Sequence, residues 1–369
     1  MLHDVAVLMV QTDANVRGWH AEIETQDYVK EVLVYVPRVD REIPLLTGMM
    51  RFFWLMVGYF KGYHYIKKHY WQGKRPEVCH VNVLTRAALL PMLLRVVHRV
   101  PYIITEHFSR YQRSGSFPHG RLHLWLTRLA VCKAAYVCPV SGNLERAMKR
   151  WHLDNPQYVK VGNVVDVDTF SLADMPQNDI SRLVHVSWLR DDSKNISGLL
   201  RVLRALADER TDWHLDIIGE GNDQERLMAL TSELGLDNQV SFYPACSGAA
   251  LARQLQSHDA LVMFSHFENQ PVSVLEALSC GLFVIATRVG DIPTMLAEQR
   301  GVTVEPGNEA QMLDALRTFV NGCLQRVGQD PALRRSRHQY VAERHTAEHI
   351  AQCFNELYNQ ALHDTRHPL

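Results

Sequence analysis

Hydrophobic positions along the chain fall into short β-branched runs separated by longer stretches of helical period. In the first half the runs at 5–10, 31–36, 77–83, 102–105, 135–140 and 158–161 predict strands. Between them, 86–100 places Leu89, Leu90, Leu93, Leu94 and Val97 on one helical face, and 120–134 repeats the pattern. Strands alternating with helices of this length imply parallel βαβ units. Ser141, with Asn143 two residues on, heads a helix at 144–151 and is placed to cap it.

A polar, proline-containing stretch at 171–179 reads as a linker. The alternation then restarts, with strands at 183–186, 214–218, 240–243, 260–264 and 282–286. Helices are predicted at 196–206, 223–234, 249–256, 272–279 and 293–297, and the tail from 330 reads as one or two more. The predicted organisation is a first domain over 1–174, a second over 180–345 and a C-terminal helix over 346–369 that packs back on the first. Two doubly wound units facing a cleft place a ligand at the carboxyl ends of their strands.

At ~150 residues per domain, 369 residues accommodate two well-cored halves. Lys+Arg of 39 against Asp+Glu of 40 gives a net charge of −1, which argues against holding nucleic acid by bulk charge. Seven cysteines, without a Cys-x-x-Cys, point away from a disulfide framework or a zinc site and toward a reducing cytoplasm. No basic, then apolar, leader is expected at the start. The apolar run at 43–60 is interrupted by Arg51 and weakened by Pro44, Thr47 and two glycines, which speaks against a membrane span. It reads as a helix packed on a sheet. Its aromatic and basic continuation to 68 also suits contact with a membrane surface.

The segment 259–294 carries the most chemistry. A buried strand leads into a loop at 265–270, Pro271 sits at a helix start, and Gly281 ends that helix before a second buried strand. The first N–H groups of the helix, at Val272 and Ser273, form a seat for a phosphate. Glu268 precedes the helix, and Glu276 lies on it four residues after Val272. Carboxylates beside a phosphate seat repel the phosphate but accept hydrogen bonds from sugar hydroxyls. By spacing alone, a solvated loop glutamate and a helical glutamate paired with arginine would look the same.

The whole segment resembles the family 4 retaining glycosyltransferases, which have the GT-B fold. Glu268, Glu276, Ala277, Gly281 and the strand Val284-Ile285-Ala286-Thr287 match their Glu-x7-Glu, Ala-x-x-x-Gly and Val-x-Ala-Thr signatures. Arg288-Val289-Gly290-Asp291-Ile292-Pro293 is similar to the Gly-Ile-Pro turn that follows. The resemblance implies an α/β fold of two Rossmann-like domains. It implies that Glu268 contacts the transferred sugar, Glu276 the ribose, and the backbone at Asn269, Gln270, Pro271, Val272 and Ser273 the sugar and diphosphate. Lys194 matches the lysine that clamps the diphosphate, and Gly219-Glu220-Gly221 the turn under the base. That turn is no dinucleotide fingerprint, because Gln224 stands where a third glycine would be needed.

With 19 histidines in the chain, a single one says little, but His107 closes a strand and matches the histidine that reaches the donor sugar. Ser141 could meet the acceptor, although the cap is the simpler role. Asp166-Val167-Asp168 suggests a metal site only in a different glycosyltransferase fold, so neither metal nor cofactor is expected beyond the nucleotide-sugar co-substrate.

Two departures stand out. Where the family has Gly-Arg-Leu, this chain has Ser187-Trp188-Leu189-Arg190, which displaces Arg190 from the position of a second phosphate cation. The stretch 2–8 looks like the family's second strand, which implies that the opening strand, glycine-rich loop and first helix are missing, a deficit of roughly 30–40 residues. The expected activity is sugar transfer with retention of configuration to a glycan or lipid-linked acceptor in bacterial polysaccharide synthesis, at the cytoplasmic membrane face. A glycosidase using both glutamates, a nucleotide-sugar epimerase, and a non-catalytic sugar-nucleotide binder are the rival readings.

Overall fold

The computed structural model describes residues 5–13, 16–26, 29–38, 44–84, 86–108, 111, 120–173 and 180–366. The chain divides into two compact units. Residues 1–105, 125–137 and 358–369 form the first, and 106–124 and 138–357 the second. Of the expected linker, 174–179 lies outside the described residues, as do 1–4 at the start.

The first unit opens with β1 (Val5–Asp13), β2 (His20–Gln26) and β3 (Val29–Pro37), a sheet in the order β1-β3-β2. β1 runs parallel and β2 antiparallel to β3. β2 is an addition to the expected strands. Its sequence, HAEIETQ, has too few apolar residues to register as a hydrophobic run, and pairing along one side of β3 holds it as an edge. α1 (Pro44–His69) lies on this sheet, with Gly58 seated against Val10 and Val36, and Gly62 against Leu8 and Val34. β4 (Cys79–Asn82), a 3₁₀ turn at Arg86–Ala88, α2 (Leu89–His98), β5 (Tyr102–Glu106), α3 (Gly120–Lys133) and β6 (Tyr136–Pro139) follow. Their strands form a second three-stranded sheet, β4-β5-β6. Buried Tyr102 donates its hydroxyl hydrogen to the Ala130 carbonyl at 2.6 Å and so fixes α3 over β5.

α4 (Gly142–Arg150) begins behind Ser141, whose Oγ accepts from the Leu144 N–H at 3.1 Å, an N-cap. The expected strand at 158–161 is absent as a ladder. Tyr158 alone makes a bridge, and the Val161 N–H donates to the Pro139 carbonyl at 3.2 Å.

The second unit is built on β7 (Ser181–Val186), α5 (Asp191–Lys194), α6 (Ile196–Ala207), β8 (Trp213–Ile218), α7 (Gln224–Glu233) and β9 (Val240–Tyr243). It continues with α8 (Gly248–Gln256), β10 (Ala260–Met263), α9 (Val272–Ser279), β11 (Phe283–Thr287), α10 (Ile292–Met295) and β12 (Gly301–Val304). α11 (Glu309–Val320), α12 (Cys323–Gln329), α13 (Pro331–Arg344) and α14 (Ala347–Arg366) complete the chain. From Tyr358 onward α14 belongs to the first unit, where Tyr358 Oη lies 2.6 Å from His80 and Tyr136 donates to Gln360 at 3.1 Å.

All six strands of the second unit run parallel in the order β12-β11-β10-β7-β8-β9. Counted from β7 this is the 3-2-1-4-5-6 order of a doubly wound sheet, and its direction of winding reverses between β7 and β10. Alternation along the strands separates two cores. Leu183, Leu215, Ile217, Val262 and Ile285 pack against α6, α7 and α11, whereas Val184, Ile218, Met263 and Val284 pack against α8, α9 and α10.

One charged side chain braces the second core. Arg337 of α13 is fully buried and donates to the carbonyls of Val327 and Gly328 at the end of α12, of Gly281 after α9, and of Arg300 before β12, at 2.8–3.2 Å. Burial pushes its pKa down to about 10, which keeps it charged at neutral pH. Arg337→Met would leave four inward-facing carbonyls without donors. We expect a loss on the order of 3 kcal/mol, read as a lower urea midpoint with an unchanged m-value.

Candidate functional site

The winding reversal separates the loops that leave β7 and β10, and a pocket of about 410 Å³ opens there within the second unit. Ser187, Trp188 and Lys194 line it from the β7 side. Glu268, Pro271, Val272 and Ser273 line it from the β10 side, Gly219 and Glu220 from the turn after β8, and Ala245 and Cys246 from the loop after β9.

The β7 loop is held by its neighbours' backbone. Leu189 N–H donates to the Glu220 carbonyl at 2.8 Å, and Ser187 N–H to that of Ile218 at 3.2 Å. A Cβ at Gly219 would overlap the Ser187 carbonyl oxygen, and one at Gly221 that of Leu189, so the Gly-x-Gly turn exists to let two backbones touch. Below it, buried His185 donates from Nδ1 to the Val262 carbonyl at 2.9 Å and accepts at Nε2 from Ser187 Oγ at 2.8 Å. Burial drives its pKa down to about 4, so it stays neutral and fixes the Ser187 hydroxyl.

α5 is one turn long and delivers Lys194 to the pocket. Its Nζ pairs with Glu268 Oε1 at 2.6 Å, the side chains being 20% and 9% exposed. Arg190 instead donates to Asp192 at 2.7 Å on the surface and is not among the residues that line the pocket.

Pro271 is the N-cap of α9 rather than its first residue, with φ −68° and ψ 122°. The helix therefore starts at Val272. The first bonds back to the Pro271 carbonyl come from the Val274 and Leu275 N–H groups, so those of Val272 and Ser273 face the pocket side of the first turn. Cationic Lys194 and the positive end of α9 converge on one space.

The loop before α9 is braced from beneath. The Asn163 N–H donates to Gln270 Oε1 at 2.6 Å, and its Nδ2 to the Gln270 carbonyl at 2.8 Å. Gln270 Nε2 donates in turn to Asp291 at 3.2 Å. His107 is exposed on the same network, its Nδ1 donating to Asn163 Oδ1 at 3.1 Å and its carbonyl accepting from Asn269 Nδ2 at 2.6 Å. Gly290 closes the loop from the other side. At φ +60° its Cα meets the carbonyls of Glu268 and Asn269, where a Cβ has no room.

Glu276 stands apart from these partnerships. It is half-buried on α9 beside Cys246, and among the described residues nothing donates to its carboxylate. Desolvation raises its pKa to about 7.

Several sequence-predicted residues thus meet in one unit. Lys194, Glu268, Val272, Ser273 and Gly219 border the pocket directly, Glu276 sits beside Cys246, and His107 is tied to the Glu268 loop through Asn269. Ser141 serves as a cap. Asp166 accepts the N–H groups of Asp168 and Thr169 and the Thr169 hydroxyl, holding its own turn together. His185, Ser187, Trp188 and Cys246 escaped sequence reasoning. Only their places at or after strand ends could have flagged them.

A six-stranded doubly wound sheet with a cation, a helix N-terminus and the Glu268 carboxylate at its switch point defines a Rossmann-like ligand-binding unit. Residues 2–163 match the glycosyl transferase 4-like domain and residues 180–327 the glycosyl transferases group 1 domain. The chain is therefore built of these two glycosyl transferase domains in the GT-B fold. An uncharacterized glycosyltransferase of Haemophilus influenzae is 25% identical over 65% of this chain and 66% of its own length. The lipopolysaccharide 1,6-galactosyltransferase of Salmonella typhimurium is 24% identical over 49% of this chain and 50% of its own. These matches span half to just under two thirds of the relatives' lengths. Among solved structures, Anabaena HepE in complex with UDP superposes with a TM-score of 0.69 at 16% identity, over 89% of this chain and 86% of that one.

Three outcomes check the geometry. Because, among the described residues, nothing donates to the ionised Glu276 carboxylate, Glu276→Gln should leave thermal stability at pH 8 unchanged or raised. The folded-state pKa lies above the usual carboxylate value, so the folded chain loses a stabilising proton as pH rises through about 7. Thermal stability of the parent chain should therefore fall from pH 6 to 8 by more than that of the Gln variant. Gly290→Ala should cost roughly 1–2 kcal/mol in backbone strain, read as a lower melting temperature.

Proposed function

We propose that this protein transfers a sugar from a nucleotide-sugar donor to a glycan or lipid-linked acceptor, with retention of anomeric configuration, on the cytoplasmic side of a bacterial envelope as part of surface polysaccharide synthesis. The observation that carries the reading is the Lys194–Glu268 pair facing the first turn of α9 across the switch-point pocket. Anabaena HepE, a fold neighbour, holds UDP and UDP-glucose, and the Salmonella relative is a galactosyltransferase, which supports a nucleotide-sugar donor and a glycan acceptor.

In this reading the diphosphate lies between Lys194 Nζ and the N–H groups of Val272 and Ser273. Glu276 accepts the ribose hydroxyls, and Glu268 and His107 meet the sugar. Without donor, Lys194 is neutralised by Glu268. With donor, the ammonium turns toward the phosphate, and Glu268 is released to accept sugar hydroxyls. As the glycosidic bond breaks, negative charge grows on the leaving diphosphate, where a fixed cation and helix N-terminus stabilise the transition state more than the ground state. A phosphate oxygen of the leaving group takes the acceptor proton. No metal or cofactor is required by this arrangement.

A glycosidase would use the two glutamates without a nucleotide, yet Glu268 is already engaged by Lys194. The test is donor turnover. With UDP-glucose or UDP-galactose, UDP release should rise when glycan acceptors are added, and the product should keep the donor's anomeric configuration by proton NMR. Lys194→Ala should lower turnover about a hundredfold. Sugar release that proceeds equally well without a nucleotide on the substrate would overturn the assignment.

A further inference from the structure

α1 is half committed to its own unit. Gly58, Gly62 and buried Ile66 face the first sheet, and Tyr59 and Tyr63 pack with Leu90 and Leu94 of α2. Among the described residues nothing packs over the opposite face. Met49, Phe52, Phe53 and Phe60 are 62%, 41%, 60% and 45% exposed, although they recur at the spacing of one helical stripe. A stripe of three exposed aromatic rings on one helix is far from the scatter of single apolar residues that soluble surfaces ordinarily carry.

The charge on the same helix gives the stripe a partner. Across its 26 residues α1 contains no acidic side chain, and it carries Arg51, Lys61, Lys67 and Lys68. Lys61 lies over the ring of Trp19, itself 41% exposed, so another amphipathic aromatic sits at the edge of the stripe. α2, packed beside α1, is also free of acids and exposes Val96 at 80% and Val97 at 59%. No helix among the described residues is long and apolar enough to cross a membrane.

We propose that α1 docks in the plane of an anionic lipid bilayer, with Phe52, Phe53, Met49 and Phe60 entering the headgroup–acyl boundary and the lysines meeting lipid phosphates. Aromatic rings prefer that boundary, and acid-free basic helices gain from an anionic surface. A second copy of the chain fits poorly as the occupant. A two-fold contact through this stripe would bring Arg51 and Lys61 of each copy toward basic partners on the other. The surface lies in the first unit, so it stands independently of the donor site, and it would hold the enzyme where a lipid-linked acceptor is presented.

Sedimentation of the full chain with vesicles, without any nucleotide sugar, tests this. Binding is expected to vesicles of phosphatidylcholine with about one third phosphatidylglycerol, at least fivefold above phosphatidylcholine alone. F52S/F53S should lower the bound fraction at least fivefold, and K67E/K68E should remove the preference for phosphatidylglycerol. Both variants alter exposed or partly exposed side chains, so unchanged circular dichroism and melting temperature, with unchanged UDP affinity, separate lost docking from lost folding or a lost donor site. Equal binding of parent and F52S/F53S to the anionic vesicles would overturn the proposal. So would a lipid-free dimer that F52S/F53S dissociates, since a second copy would then be the occupant.

Discussion

The pairing of β7 with β10 governs the second unit. Leu183 lies beside Ala260 and Val184 beside Leu261, although more than seventy residues of chain separate the partners. This register makes β7 and β10 neighbours at the one place where the winding changes direction. Their two exit loops must diverge to opposite faces, which leaves a space that no helix fills. Everything chemical in the unit uses that space. Lys194 enters from one loop and Glu268 from the other, and they meet at 2.6 Å because the sheet brings their strands side by side.

The pocket is costly to build. The Glu268 carboxylate, an ammonium and a helix terminus occupy a partly desolvated space, a second carboxylate, Glu276, lies beside Cys246 at its border, and the structure handles each differently. Glu268 is neutralised by Lys194. Among the described residues Glu276 has no donor, and its pKa rises to about 7. His185 avoids the problem by remaining neutral between two hydrogen bonds. A half-buried carboxylate without a partner weakens a folded protein and strengthens a binding site, because a ligand's hydroxyl groups recover the lost solvation. The rigidity needed to hold such groups comes from side chains that do no chemistry, with Asn163, Gln270 and Asp291 below the loop and Arg337 behind α9.

The second unit was more legible than the first for a physical reason. Its strands are buried on both faces and read as continuous apolar runs, and strand 240–243 and helix 272–279 coincide with the expected boundaries. β2 was missed because an edge strand can be polar, and 158–161 was over-read because an apolar run without a neighbouring strand forms no ladder. β12 and the single turn α5 also went unseen, as did α11 and α12. Of the residues carried by a recognisable motif, Lys194 and Glu268 line the pocket, and Glu276 lies beside Cys246. His185, Ser187, Trp188 and Cys246 were not, since a histidine inside a strand or a serine after it has no sequence signature.

By itself the sequence determined the alternation of strands and helices, the family resemblance, the seat of α9 behind Pro271, and the acid-free aromatic helix over 43–68. These are local properties, set by periodicity, backbone restriction and composition. Tertiary structure decided which loops meet, and with that which charges pair. Arg190 turns to Asp192, whereas Lys194 reaches Glu268. It also decided which apolar positions of α1 are buried and which face outward, because glycines at 58 and 62 let one side approach the sheet and leave the phenylalanine stripe on the other. Coulomb interaction and burial depend on distances in space, and strand order, which no local stretch of sequence contains, sets those distances.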